Sequence, residues 1–234
     1  MSTNATAFLP RALSLLDLGL QPYEPVHQLQ VSAVECVRSR AAPEVVILVE
    51  HTPTITLGRR ADPAHVLASA EALQRSGITI QRVERGGDVT YHGPGQLVMY
   101  PIIRLHEYNL GASDYMHRLE EVVITALDDL AVSAGRRQGL VGVWIGNNKI
   151  CAMGVRIRGG VTMHGLALNV DPEMAHWQTI IPCGIQDAGV TSLRQVLGIA
   201  PAMEVVKERL TARFAEAFDV TLVTCQDATP WIGS

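Results

Sequence analysis

Lysine is almost absent from these 234 residues. Only Lys149 and Lys207 are lysine, against 17 arginines, so each lysine invites a reason. Cysteine is scarce as well, at Cys36, Cys151, Cys183 and Cys225. No two stand in CxxC spacing, which argues against a zinc knuckle or a thioredoxin-type redox pair. The eight histidines show no metal-ligand spacing, and neither a metal nor another cofactor is expected. Excess positive charge is lacking too. Lys plus Arg is 19 and Asp plus Glu is 23, for a net charge of −4, so no basic field exists to hold a polyanion and nucleic acid is not an expected partner. Charged residues make up only 18% of the chain, which argues against long disorder. No apolar run approaches the roughly 18–20 residues that span a bilayer, so a membrane is not expected either. The opening MSTNATAFLPRALSLLDLGL has neither a basic start nor an uninterrupted apolar core of secretory type. A cytoplasmic protein with reduced thiols is the expectation. Repeats, low-complexity tracts and linkers are missing, so residues 1–234 read as one domain, long enough to bury a core unaided.

What is present alternates strands and helices. Leu15 to Leu20 suggests a first strand, stopped by Gln21-Pro22. Tyr23 to Arg40 carries Val26, Leu29, Ala33, Val34 and Val37 at helical spacing, with Cys36 beside the stripe. Glu44 to Glu50 is a short β-branched run of buried-strand type, and a turn and strand follow over His51 to Gly58. Asp62-Pro63 predicts a helix running to Arg75 and ending near Gly77. Strands are expected over Ile78 to Val83 and Gln96 to Leu105, and a long helix over Ser113 to Ala134 with Ser or Asp as its cap. Three strands follow, over Gly142 to Ile145, Lys149 to Ile157 and Val161 to Val170, joined by tight turns at Asn147-Asn148 and Arg158-Gly159-Gly160. A helix from Met203 to Phe218 and a strand from Val220 to Thr224 close the pattern. Hairpins outnumber βαβ crossovers. The predicted class is α/β in content (α+β-like), a mixed, largely antiparallel sheet flanked by helices.

Two segments stand out chemically. Arg85 to Gln96, RGGDVTYHGPGQ, holds four glycines and Pro94, a composition unlike a regular buried strand or helix. Bare backbone suits a ligand that must approach the main chain, with Arg85 available to an anion and His92 to donate to a carbonyl. The spacing fits neither a dinucleotide fingerprint nor a phosphate-binding loop. A tight structural turn is the plainer alternative. The second segment is IIPCGI. Pro182 and Gly184 place Cys183 on a turn, where a thiolate could attack a thioester or amide carbonyl if a nearby cation favoured it. Cys36, Cys151 and Cys225 read as small hydrophobes. Lys149 leaves a hairpin and is either a solvated surface residue or, among Ile150, Cys151, Ala152, Met153 and Gly154, a partly desolvated ammonium that would favour a neighbouring thiolate.

Four blocks in order carry a resemblance: RGGDVTYHGPGQLVMYPI (Arg85 to Ile102), GVWIGNNKICAMGVRI (Gly142 to Ile157), HGLALNV (His164 to Val170) and PCG (Pro182 to Gly184). EHTPTITLGRRAD (Glu50 to Asp62) adds to them. Together they resemble the lipoyl(octanoyl) transferases, the octanoyl-[acyl-carrier-protein]:protein N-octanoyltransferases, over about Asp17 to Phe218. The resemblance implies a single catalytic domain of the biotin/lipoate protein ligase-like fold and no cofactor. It implies a Cys/Lys dyad, with Cys183 matching the nucleophile and Lys149 the partner that lowers its pKa. The acyl-binding positions of the family fall on Arg85, Gly86, Gly87, Asp88, Val89, Thr90, Tyr91 and His92, on Ala152, Met153 and Gly154, and on Gly165, Leu166 and Ala167. The implied reaction passes an octanoyl group from octanoyl-acyl carrier protein, through a Cys thioester, to the lysine of a lipoyl domain, the first step of endogenous protein lipoylation. The implied acceptors are the lipoyl domains of 2-oxoacid dehydrogenase complexes and the glycine cleavage H protein. Arg59, Arg60, Arg85, Arg156 and Arg158 are candidates for a basic face that meets acidic carriers. Met163 and Gly159-Gly160 depart from the usual pattern and bear on chain-length preference. An ATP-dependent lipoate or biotin ligase of the same fold, an amidotransferase between lipoyl-type proteins, and an acyl-binding module without turnover are the competing readings.

Overall fold

A computed structural model describes residues 11–182 and 188–232. The first strand, β1 (Arg11–Gln21), leads into α1 (Tyr23–Arg38) and then β2 (Val45–His51) and β3 (Thr54–Leu57). After a short 3-10 turn come α2 (Ala70–Arg75), β4 (Thr79–Arg82), β5 (Val89–His92) and β6 (Gln96–Ile102). The long helix α3 (Ala112–Asp128) precedes β7 (Gly135–Arg137), β8 (Leu140–Ile145), β9 (Asn148–Arg158) and β10 (Val161–Asn169). The chain ends through β11 (Gly189–Val190), α4 (Leu193–Leu197), α5 (Met203–Phe218) and β12 (Val220–Cys225).

The main sheet runs in the order β12-β1-β2-β6-β10-β9-β8-β7, with β11 paired to β9. Pairings from β2 through β6, β10, β9 and β8 to β7 are antiparallel, whereas β1 pairs in parallel with both β12 and β2. A second, three-stranded sheet has the order β4-β3-β5. This is the mixed, mainly antiparallel sheet expected from the hairpins.

Both faces of the main sheet are covered, which explains its near-continuous apolar strands. Ile47, Val98, Tyr100 and Ala167 point to one face and pack with Val26, Ala33, Val34 and Val37 of α1. Val46, Leu48, Leu97, Met99, Leu166 and Leu168 point to the other and pack with Leu119, Val122 and Val123 of α3 and Leu210 and Phe214 of α5. The small sheet has its own core of Ile55, Leu57, Val89 and Tyr91 with Leu73, Ile78, Trp177 and Ile180. Among the described residues no helix is long and apolar enough to cross a membrane.

Four local expectations need correction. The helix predicted from Asp62 to Arg75 is broken: Pro63–His65 form one 3-10 turn, and α2 begins only after its Ser69 cap. Backbone bonds made by the intervening residues explain the break, since Leu67 N–H donates to Thr179 O at 2.8 Å and Ile181 N–H to His65 O at 2.8 Å. Helix α3 starts at Ala112 with Gly111 as cap, without a side-chain cap, and stops at Asp128 rather than near Ala134. The β8–β9 turn is Gly146-Asn147, one residue earlier than expected, because Gly146 takes the positive φ of +56° that the turn requires. Finally, the segment Arg85 to Gln96 contains a fully buried strand, β5, between its two glycine pairs.

Candidate active site

The site lies where the small sheet leans on β9, β10 and β6. Gly154 on β9 faces Gly165 on β10, and Ala152 faces Ala167, so the sheet is thin at its centre. A Cβ at Gly154 would stand 2.8 Å from Gly86 O, and Gly86 N–H donates to Val155 O at 3.0 Å. The glycine-rich loop therefore rests directly on β9, an approach that a larger residue would block.

Between loop and sheet lies a cavity. Arg85, Gly87, Asp88, Thr90 and His92 line one side, and Ala152, Met153, Gly154, Gly165, Leu166 and Ala167 the other. These are eleven of the fourteen binding positions named from sequence. Gly86 lines a larger neighbouring cleft, which shares Gly87, Asp88, Met153 and Gly154 with the first cavity and reaches Arg60, Met116, Leu140 and Lys149. Val89 and Tyr91 line neither. On β5 side chains alternate, so Thr90 and His92 face the cavity while Val89 and Tyr91 fill the small sheet's core. Sequence reasoning missed Tyr23, Val98, Tyr100 and His164 as cavity residues. The period-two alternation of QLVMYPI carries a signal for Val98 and Tyr100; nothing comparable marks Tyr23.

Arg85 is 7% exposed and turned inward. Its Nη2 donates to Thr56 O at 2.7 Å and its Nη1 to Gly86 O at 3.0 Å. It braces the loop and does not face a docking partner. Asp88 accepts from Asp62 N–H at 3.1 Å and pairs with His65 Nδ1 at 2.5 Å, tying the same loop to the chain before β4.

His92 does not play the donor role expected of it. Gln96 Nε2 donates to Tyr91 O at 3.1 Å and to Asn169 Oδ1 at 3.0 Å, which orients the amide. Gln96 Oε1 therefore faces His92 Nδ1 at 2.8 Å and must accept its proton. Burial, together with neighbouring His51, holds the His92 ring well below the usual histidine range, so it is neutral. A neutral ring with its proton on Nδ1 presents a lone pair at Nε2 and cannot donate from there. His51 is fixed in the same tautomer: its Nδ1 donates to Gln21 O at 3.2 Å, and its Nε2 accepts from Tyr100 O–H at 2.9 Å. Burial lowers its pKa to about 4. His164, also lowered by burial, to about 3, holds a left-handed backbone with φ +58°.

Lys149 is 7% exposed, which removes the surface reading. Its Nζ lies 4.8 Å from the centroid of the Trp144 ring, and the Arg137 guanidinium is 5.2 Å from the same ring. Besides the larger cleft, Lys149 lines a small cavity with Trp144, Pro182, Ala188, Gly189 and Val190. Val190 pairs with Lys149 across β11 and β9. Cys183 lies outside the described residues, as do residues 184–187. Of the other cysteines, Cys151 is fully buried, and burial pushes its thiol up to about 12, so it stays protonated. Cys36 and Cys225 are half-buried and pack against the α1 face.

Comparison with known proteins identifies the family. The family model described as the lipoyl protein ligase A/B catalytic domain matches residues 22–215. An octanoyltransferase of Chloroflexus aurantiacus is 46% identical over 212 residues, covering 89% of this chain and 95% of its own. One from Alkaliphilus metalliredigens is 41% identical over 212 residues, 90% of this chain and 97% of its own. In fold, the chain is similar to a lipoate-protein ligase A bound with ATP, with a TM-score of 0.70 at 15% identity over 96% of this chain and 93% of that one. A biotin protein ligase from Aquifex aeolicus follows at 0.53, with 13% identity over 88% of this chain and 70% of that one. The chain belongs to the octanoyltransferases, acyltransferases within the lipoyl protein ligase A/B catalytic family.

Proposed function

We propose that this protein transfers an octanoyl group from octanoyl-acyl carrier protein to a lysine of a lipoyl domain, through a thioester on Cys183. One observation carries the reading. The buried side chain of Lys149 lines both the cleft that joins the first cavity and a small cavity bounded by Pro182 and Ala188. Those two residues flank the segment that begins with Cys183. A cation beside a thiol favours the thiolate, which is the attacking species.

In the first half-reaction the Cys183 sulfur forms a bond to the thioester carbonyl carbon and the bond to the pantetheine sulfur breaks. The carrier leaves as a thiol after taking a proton. In the second, the acceptor amine forms an amide bond to the same carbon, loses a proton and releases the Cys183 thiolate. The apolar and small residues Ala152, Met153, Leu166 and Ala167 suit the methylene chain. His92, being a lone-pair donor, leaves stabilisation of the carbonyl oxyanion to other groups. Arg59 and Arg60 are exposed, and Arg60 lines the larger cleft; a basic rim there would steer acidic carriers. Arg156 is paired with Glu84 and Arg158 with Glu35, which weakens both as docking charges. A cytoplasmic reaction is part of this reading. The acceptors are lipoyl domains of 2-oxoacid dehydrogenase complexes and the glycine cleavage H protein.

Intact mass after incubation with octanoyl-acyl carrier protein, without ATP, tests this. Gain of one octanoyl group on the peptide holding Cys183, removed by neutral hydroxylamine, is expected. Labelling that requires free octanoate and ATP would instead establish a ligase and leave Cys183 a bystander.

A further inference from the structure

Four hydrogen bonds run from the acyl cavity to the backbone of Lys149. His92 Nδ1 donates to Gln96 Oε1 at 2.8 Å, and Gln96 Nε2 donates to Asn169 Oδ1 at 3.0 Å. Asn169 Nδ2 donates to Thr191 O at 2.9 Å, and Thr191 N–H donates to Lys149 O at 3.0 Å. The side chains are sealed from water: Gln96 is 0% exposed, Asn169 2% and His92 5%. The residues come from β5, the start of β6, the end of β10 and the chain just after β11. His92 and Gln96 are four residues apart, whereas Asn169 and Thr191 come from much later in the chain, and each amide has one orientation that satisfies it. Gln96 must turn its nitrogen toward two oxygens, Tyr91 O and Asn169 Oδ1, and this leaves only its oxygen for His92. Reversing either amide would face donor against donor or oxygen against oxygen, in a place where an unmet polar group costs about 1–3 kcal/mol.

From this chain of contacts we infer that Gln96 and Asn169 are positioning residues of the transfer reaction. They hold His92 as the Nδ1–H tautomer, with its bare Nε2 turned to the Thr56 hydroxyl at 3.5 Å, and they dock the Gly189–Thr191 edge on Lys149. Neither amide touches the acyl cavity; each acts through a neighbour. The inference rests on the proposed reading of Lys149 and the acyl cavity. It adds that the two are held in one register by a buried amide relay.

The relay predicts a spectroscopic signature that does not depend on activity. In the unmodified protein, nitrogen-15 NMR of the His92 ring should show a protonated Nδ1 and a bare Nε2 at neutral pH. A protonated Nε2, or an even mixture of tautomers, would overturn the inference. Two variants test the kinetic half. Asn169→Asp keeps the oxygen that Gln96 needs but loses the donor to Thr191. Gln96→Met removes both links. Each should lower single-turnover octanoyl transfer by roughly 10- to 100-fold, because small misplacements of reacting groups cost that much. KM for the carrier should stay within about threefold. Gln96→Glu retains the acceptor for His92 and should keep the Nδ1–H signature while losing rate. Folded variants with rates within twofold of the parent would refute the positioning role. If a variant does not fold, the tautomer of the parent still decides. Failure of the parent itself to acquire an octanoyl group would strike the proposed function and leave the tautomer result intact.

Discussion

Acid should destabilise this protein above the pH at which its carboxylates titrate, and the buried histidines set the amount. A solvated imidazole has a pKa of about 6.5. Burial lowers His51 to about 4 and His164 to about 3. Between pH 6.5 and those values the unfolded chain binds protons that the native protein refuses. Stability therefore falls as pH falls through this window and is fully present only above about pH 6.5. From pH 7 to pH 5 the linkage integral gives a loss of about 2 kcal/mol for each ring, or about 4 kcal/mol for the pair. His92, also held neutral, adds to the loss in the same direction. Native domains have about 5–15 kcal/mol in total, so the loss is a large share. The depressed carboxylates Glu35, Glu107 and Asp129 start from unfolded values of 4.5, 4.5 and 3.8 and contribute mainly below this range.

Urea titrations at pH 7 and pH 5 measure the effect directly, provided the slope with denaturant is unchanged. The parent should lose at least about 4 kcal/mol on acidification. His51→Gln removes one titrating ring, so its pH-dependent loss should be smaller by about 2 kcal/mol, even though its stability at pH 7 also drops. An identical loss in parent and variant would refute the claim that His51 is held neutral. Resistance of the parent to pH 5, with under 1 kcal/mol lost, would refute the claim for the whole cluster.

Three further outcomes are expected. Gly165→Ala would place a Cβ 2.2 Å from Met99 O in the neighbouring strand; because backbone must yield, thermal denaturation should show destabilisation of about 1–3 kcal/mol or more. Lys149→Met should raise the pH midpoint for alkylation of Cys183 by a small thiol reagent, and an unmoved midpoint would remove the lysine from its assigned role. Replacing Arg59 and Arg60 with Glu should raise KM for the carrier with little change in kcat, since exposed charges act mainly on encounter; a salt-independent, unchanged KM would exclude this face.

The parts of this structure legible in the sequence are those fixed by short-range pattern. The helix expected from about Met203 to Phe218 is found at those bounds, with a buried stripe of Val206, Leu210, Phe214 and Phe218 and Asp219 in the αL conformation after it, both local features. The β8–β9–β10 hairpins follow from turn residues, and the cavity-lining residues of β9 and β10 lie in the blocks that carry the family resemblance. Where the reading failed, a distant partner decided. Val66 to Ala68 leave the helix because Thr179 and neighbouring residues offer backbone bonds more than a hundred positions away. Val89 to His92 become a strand despite flanking glycines because β3 pairs with them and Trp177 covers Val89 and Tyr91. Propensity describes one segment at a time and cannot weigh such competition.

The same logic explains the site. Sequence placed His92 at the cavity by its motif and assigned it a donor's role from its residue type. Residue type fixes which protons a histidine can carry but not which nitrogen carries one. That choice belongs to Gln96, whose own orientation is set by Tyr91 O and by Asn169, 73 residues further along. A glutamine four residues after a histidine would read as one more polar position in a glycine-rich loop. Only when β6 and β10 are paired, with Gln96 opposite Asn169, does it become the group that decides what the histidine can do. Chemistry at this site is thus specified by sheet register, and a slip of one residue between β6 and β10 would place the amides on opposite faces and release the ring.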